Sequence, residues 1–207
     1  MSYVLHDSLQ SGNAWKVRLA LSFLGLPYQR RTHILAEGTT RTLNYLAMNP
    51  MAKVPVLELP DGQCIRESNA ILCHLARGTE LMPQGIDETR ALEWLFFEQS
   101  EALKPFASTR YWISIARKPE QKKDEILVWQ AAGRKVLAVL ESALRQRTFL
   151  VAERYSVADI ALFPYISMAG EGGYDLESSP NVLAWIDRVR SHPSHRPLIE
   201  EAAPHAN

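Results

Sequence analysis

The stretch SGNAWKV at positions 11–17 places a serine, a glycine and an asparagine immediately before apolar residues at helical spacing. Ser11 offers a hydroxyl and Asn13 an amide, but the stretch holds no histidine or acid to turn the serine into a nucleophile. At a helix start such groups can donate hydrogen bonds to an anion, assisted by free N–H groups and the positive end of the helix dipole. Arg66-Glu67-Ser68 stands where a strand-like run gives way to a helix-like one, so Ser68 also sits beside N–H groups suited to a carboxylate. Taken singly, Ser11, Asn13 and Ser68 are equally good helix caps, and Glu67 a solvated neighbour. Val54-Pro55 opens a further apolar run, where a proline fits the first residue of an edge strand. Cys64 and Cys73 are too few for a disulfide framework and lack metal-ligand spacing, so both read as reduced packing residues and no metal is expected.

The rest of the chain narrows the ligand class. Its 207 residues suit one large domain or two small ones, and 23 basic residues balance 23 acidic ones. No global field favours nucleic acid or an anionic membrane, which points to a small-molecule partner. Residues 1–78 carry eight Lys or Arg against five Asp or Glu, so an anionic ligand favours the front of the chain. The start MSYVLHDS lacks the basic and long apolar regions of a signal peptide, and no run approaches a membrane span, so a cytoplasmic location is expected.

Two textures divide the elements that must position these residues. Short apolar runs at 3–6, 28–34, 55–59 and 63–67 read as strands, the last two joined by the turn Pro60-Asp61-Gly62. Ala14, Val17, Leu21 and Leu24 recur at helical spacing until Gly25, a short irregular helix is expected around 41–47, and residues 68–77 form a helix opened by a capping serine. The order is βαβ followed by ββα over 1–78. After a Gly- and Pro-rich linker at 79–86, residues 87–207 read as all helical, with long amphipathic runs at 88–117 and 120–147 and shorter ones at 156–169 and 181–192. Tyr155, Ser156 and Asp159 have a structural reading: Ser156 caps a helix, Asp159 closes a capping box and Tyr155 staples onto Ile160. Trp94, Phe96, Phe97, Trp129 and Trp185 read as core.

Ser11, KVPVLEL at 53–59, DGQCIRESNAIL at 61–72 and YSVADIAL at 155–162 together resemble the soluble glutathione transferases, over nearly the whole chain and in that family's order and spacing. The resemblance implies a thioredoxin-like N-terminal domain and an all-helical C-terminal domain, in agreement with the two textures. It implies a cis Val54–Pro55 bond, with the Val54 main chain pairing with the cysteinyl part of glutathione. Ser68 then holds the γ-glutamyl carboxylate and Glu67 contributes at the γ-glutamyl end, while Lys53 or Arg41 meets the glycyl carboxylate. Thr39 and Thr40 stand where relatives often carry histidine, and Ala52 replaces a common glycine.

Glutathione brings its own thiol, so the enzyme need only stabilise the thiolate. By resemblance to the serine-type theta and delta classes Ser11 donates to the sulfur, and Asn13, similar to the asparagine of bacterial nu-class relatives, shares that role. Tyr3 lies too early on its strand to serve as the tyrosine of other classes. The second substrate, a small hydrophobic electrophile, is expected against Arg110, Tyr111, Trp112 and Tyr165. No tightly bound cofactor is implied; glutathione is a co-substrate. Glutathione-dependent disulfide or peroxide reduction is the alternative activity, and a non-catalytic binding protein with this fold the alternative class. A homodimer is expected, with Glu98 or Gln99 near the partner's glutathione.

Overall fold

The computed structural model describes residues 2–199, and the chain divides into two compact units. One holds residues 2–75 together with 194–199; the other runs from Ala76 to Pro193. Residues 194–199, expected with the helical part, group with the first unit.

The first unit is a four-stranded mixed sheet with helices. Its strands β1 (Tyr3–Asp7), β2 (Tyr28–Thr32), β3 (Val56–Glu58) and β4 (Cys64–Arg66) lie in the order β2-β1-β3-β4. β1 and β2 are parallel, with Leu5 opposite Arg30, and β1–β3 and β3–β4 are antiparallel, with Leu5 opposite Leu57 and Leu57 opposite Ile65. The parallel pair needs a crossover, which α1 (Gly12–Phe23) supplies. α1 is buried from Ala14 through Leu21, charged residues included, so it is a core helix rather than an amphipathic surface one. It ends where Gly25 takes a positive φ of 61°, which glycine adopts without steric cost. Between β2 and β3 come two short 3₁₀ turns and α2 (Leu43–Met48), and α3 (Ser68–Ala76) follows β4. This is the thioredoxin-like order read from the sequence.

The C-terminal segment is tied to α1. The Trp15 indole donates to the Arg196 carbonyl at 2.7 Å, and the Arg18 guanidinium donates to the carbonyls of Pro197 and Leu198. Arg18, wholly buried, also lies 3.7 Å from the Asp7 carboxylate, which Arg30 holds at 2.6 Å.

The second unit is all helical among its described residues. α4 (Ile86–Phe97) and α5 (Leu103–Arg110) belong to one long helical run in which residues 98–102 and 111–115 adopt π turns. The expected uninterrupted helix over 88–117 is thus broken twice in register; hydrophobic spacing tolerates one inserted residue and does not reveal it. α6 (Lys123–Leu144), α7 (Val157–Ser167) and α8 (Pro180–Arg190) complete the unit. Gly133 on α6 lies against Tyr174, where any Cβ would collide with the ring.

The capping box at α7 is formed. Ser156 Oγ accepts from the Ala158 N–H, and the Asp159 carboxylate accepts from the Ser156 N–H and hydroxyl, the Leu150 N–H and the Trp185 indole. Burial pushes the Asp159 carboxyl up to about 6 against the pull of those donors. Tyr155 stacks on His192, with ring centroids 4.8 Å apart. Trp185 is fully buried, but Phe96, expected in the core, is 72% exposed on α4. No helix among the described residues is long and apolar enough to cross a membrane.

Candidate active site

Ser11 is the N-cap of α1. Its Oγ accepts from the Ala14 N–H at 3.2 Å, which occupies a lone pair and leaves the hydroxyl proton available to a ligand. Capping and donation to a thiolate are therefore compatible at this one residue. Asn13, inside the first turn and half-buried, faces a different neighbour: Ser68 Oγ stands 3.4 Å from Asn13 Oδ1.

Ser68 departs from the expectation of a capping serine. It is the first residue of α3, and the preceding Glu67 supplies the cap carbonyl, which accepts from the Ile71 N–H at 3.0 Å. Glu67 takes this corner with φ at 66°, a left-handed conformation unusual for a residue with a side chain, and its side chain is exposed. Ser68 is nearly fully buried, with its hydroxyl between Asn13 and Lys16; Lys16 Nζ lies 3.4 Å from Ser68 Oγ. The N-terminal ends of α1 and α3 thus meet, although 55 residues separate Asn13 from Ser68. Lys16 is the residue that sequence reasoning missed here, and the signal was present: a lysine directly between the apolar Trp15 and Val17.

Val54–Pro55 is a cis bond, as the resemblance implies. Just before it the Lys53 carbonyl is held twice, by the Tyr45 hydroxyl at 2.8 Å and by Asn49 Nδ2 at 2.8 Å. Burial raises the Tyr45 phenol to about 12, which keeps it a donor. Ala52 has φ at 54°, so the position where relatives carry glycine demands a left-handed backbone that alanine adopts at a cost of ~1 kcal/mol. The side chains of Lys53 and Arg41 are exposed, and Thr40 is buried.

Behind Tyr45 lies a pair of histidines. His6 Nδ1 and His33 Nε2 are 3.1 Å apart with the rings stacked, and the Tyr45 ring meets both edge-on. His6 Nε2 lies 3.5 Å from the Glu58 carboxylate. Burial holds both imidazoles below their ordinary range.

In the helical unit, Arg110 is almost fully buried and pairs with Glu171 at 2.7 Å, while Ser114 donates to the Glu171 carbonyl. The Arg110 guanidinium, expected to face the second substrate, thus has a partner within its own unit. Tyr111 is exposed on the second π turn, in edge contact with half-buried Trp112. Tyr165 is half-buried on α7. Glu98 is buried within its own chain, whereas Gln99 is half-buried. Neither Cys64 nor Cys73 is in a disulfide, and among the described residues no group of three or more His, Cys, Asp or Glu is placed to hold a metal.

Comparison with known proteins follows this layout. Residues 10–77 match the glutathione S-transferase N-terminal domain and residues 102–193 the C-terminal domain. The chain is similar to the crystal structure of a glutathione S-transferase from Pseudomonas fluorescens Pf-5, with 42% identity, a TM-score of 0.94, and coverage of 97% of this chain and 100% of that one. It is 30% identical to the disulfide-bond oxidoreductase YfcG of Escherichia coli, over 88% of this chain and 87% of that protein. A glutathione transferase from Burkholderia graminis, solved with two glutathione molecules bound per subunit, is 27% identical with a TM-score of 0.82, covering 93% of this chain and 85% of that one. With both domains matched in sequence order, the chain belongs to the glutathione S-transferase family.

Proposed function

We propose that the protein binds glutathione on its N-terminal unit, ionises the thiol, and delivers the thiolate to a small hydrophobic electrophile. The observation that carries this reading is the meeting of two helix N-termini through the Ser68–Asn13 contact. It puts anion-stabilising donors in two places a short distance apart, as suits the thiolate and the γ-glutamyl carboxylate of glutathione. Ser11 and Asn13 donate to the sulfur, the start of α3 with Glu67 takes the γ-glutamyl end, the Val54 main chain pairs with the cysteinyl unit, and Lys53 or Arg41 meets the glycyl carboxylate.

In the reaction the thiol proton leaves to solvent and sulfur attacks the electrophilic carbon. The S–C bond forms as the leaving group departs with its electron pair. Tyr111, Trp112 and Tyr165 are the residues we assign to the second substrate, with the Arg110–Glu171 pair supporting the helix that carries the first two. Two copies pair through helices that include α4, whose Ile86 and Phe96 are 66% and 72% exposed in the single chain.

A second reading is disulfide reduction, favoured by Asn13 at the site and by the similarity to YfcG. Here the thiolate attacks one sulfur of a disulfide, and a second glutathione releases the mixed disulfide as oxidised glutathione. Assays of the purified protein with glutathione and, in turn, a chloronitrobenzene, a hydroperoxide and a small disulfide test both. Turnover of the chloronitrobenzene supports conjugation; turnover of the disulfide alone replaces it with reduction. Glutathione binding with no turnover of any of the three makes the protein a binder.

A further inference from the structure

Lys16 belongs to none of the family motifs singled out in the sequence, yet it is wholly buried on α1 with its ammonium 3.4 Å from Ser68 Oγ. An ammonium donates hydrogen bonds and cannot accept them. The Ser68 oxygen facing it is therefore an acceptor on that side, and the Ser68 proton is directed to the other neighbour, Asn13 Oδ1, also at 3.4 Å. Asn13 Oδ1 is then occupied, and the Nδ2 end of the amide is the one left to meet a ligand. A flipped amide would leave the Ser68 proton without its Asn13 acceptor and turn an oxygen toward the sulfur anion, which repels it.

We propose that Lys16 is a positioning residue for thiolate formation. Acting through Ser68, it holds the Asn13 amide with Nδ2 toward the sulfur of bound glutathione. The chain runs Lys16 N–H to Ser68 Oγ, Ser68 O–H to Asn13 Oδ1, and Asn13 N–H to sulfur. Each bond polarises the next in a site closed to water on the Lys16 side, so the final donor is stronger than an isolated amide. The relay also narrows the role of Ser68: its hydroxyl proton serves Asn13, and the free N–H groups at the start of α3 are what remain for the ligand carboxylate. The inference rests on the glutathione reading of this site, and it makes Asn13 a donor whose strength is set from inside the fold.

The test is a double-mutant cycle on the full chain, read by the ultraviolet absorbance of the thiolate as pH is varied with glutathione saturating. Lys16→Met, an unbranched apolar replacement of similar length, should raise the apparent thiol pKa by about one unit, a tenfold loss of thiolate at neutral pH. Affinity for S-methylglutathione, which has the carboxylates but no ionisable thiol, should stay within about threefold. In an Asn13→Ala background Lys16→Met should add no further shift, because the residue through which it acts is gone. Where Lys16→Met does not fold, Lys16→Gln serves: its amide can accept as well as donate, frees the Ser68 hydroxyl to turn back, and should shift the pKa the same way. An unchanged thiol pKa in Lys16→Met, or an equal shift with and without Asn13, overturns the relay while leaving glutathione binding intact. Failure of the wild-type protein to bind glutathione overturns the reading of the site itself.

Discussion

The Tyr45 hydroxyl donates to the Lys53 carbonyl at 2.8 Å, one peptide before the cis Val54–Pro55 bond. Tyr45 is nearly fully buried on α2, so a helix without a ligand-facing role fixes the main chain that we assign to glutathione.

Tyr45→Phe keeps the ring and removes that donor, leaving Asn49 as the partner of the carbonyl. The expected result is a loss of about 1 kcal/mol, roughly fivefold in glutathione affinity, with little change in turnover once glutathione saturates. Calorimetry and saturation kinetics measure the two separately, and a fall in turnover without a fall in affinity would contradict the assignment.

Ser11→Ala should show two effects of different origin. Loss of the cap to the Ala14 N–H should lower stability by ~1 kcal/mol, seen in urea unfolding without ligand. Loss of the donor to sulfur should lower turnover at neutral pH about tenfold for each unit by which the thiol pKa rises, with partial recovery as pH is raised. Asn13→Ala, which caps nothing, should show the second effect with little of the first. Recovery at high pH in neither variant would show that Ser11 only caps the helix and that Asn13 acts elsewhere.

A truncation after Ser194 should destabilise the N-terminal unit although residues 195–199, the described part of what it removes, form no helix or strand. It takes away the carbonyls of Arg196, Pro197 and Leu198, leaving the Trp15 and Arg18 donors without those acceptors. Each buried donor so exposed costs about 1–3 kcal/mol. A thermal melt of the truncated chain should fall well below that of the full chain, and an unchanged melt would mean that the segment merely rests on α1.

Stability should also fall as pH drops below neutrality. His6 and His33 both have folded-state values below the ordinary 6.5, chiefly because burial disfavours their charged forms; Glu58 and Asp7 favour charge on His6 against Arg31, and His6 and Arg31 oppose charge on His33 against Asp7. As pH falls below 6.5 the unfolded chain takes up protons that the folded chain resists. The stabilising contribution is therefore full above that pH and is lost as the folded-state values are approached, at no more than ~1.4 kcal/mol per pH unit for each histidine. Urea unfolding at a series of pH values should show this slope, and His33→Gln should reduce it; an identical slope in the variant would place its origin elsewhere.

What the sequence alone determined was whatever depends on neighbours along the chain. Strand and helix periods, the change of texture after residue 78, Ser11 at the start of α1 and the Ser156–Asp159 capping box all follow from residues within one or two turns of each other, where backbone geometry admits few alternatives. The resemblance read from the same residues also named the family, which both domain matches bear out. Tertiary structure decided which of several plausible roles each polar group took. Ser68 reads as a cap in isolation, and only the approach of α1 turns its hydroxyl to Asn13 and Lys16. Arg110 is an available cation in sequence and half of an ion pair in the fold, because Glu171 reaches it from 61 residues away. The Tyr45–Lys53 bond, the return of residues 196–198 to α1 and the two π turns were likewise invisible. A side chain's hydrogen-bond partner is chosen by what packing brings within about 3 Å of it once water is excluded, and local sequence does not encode that distance.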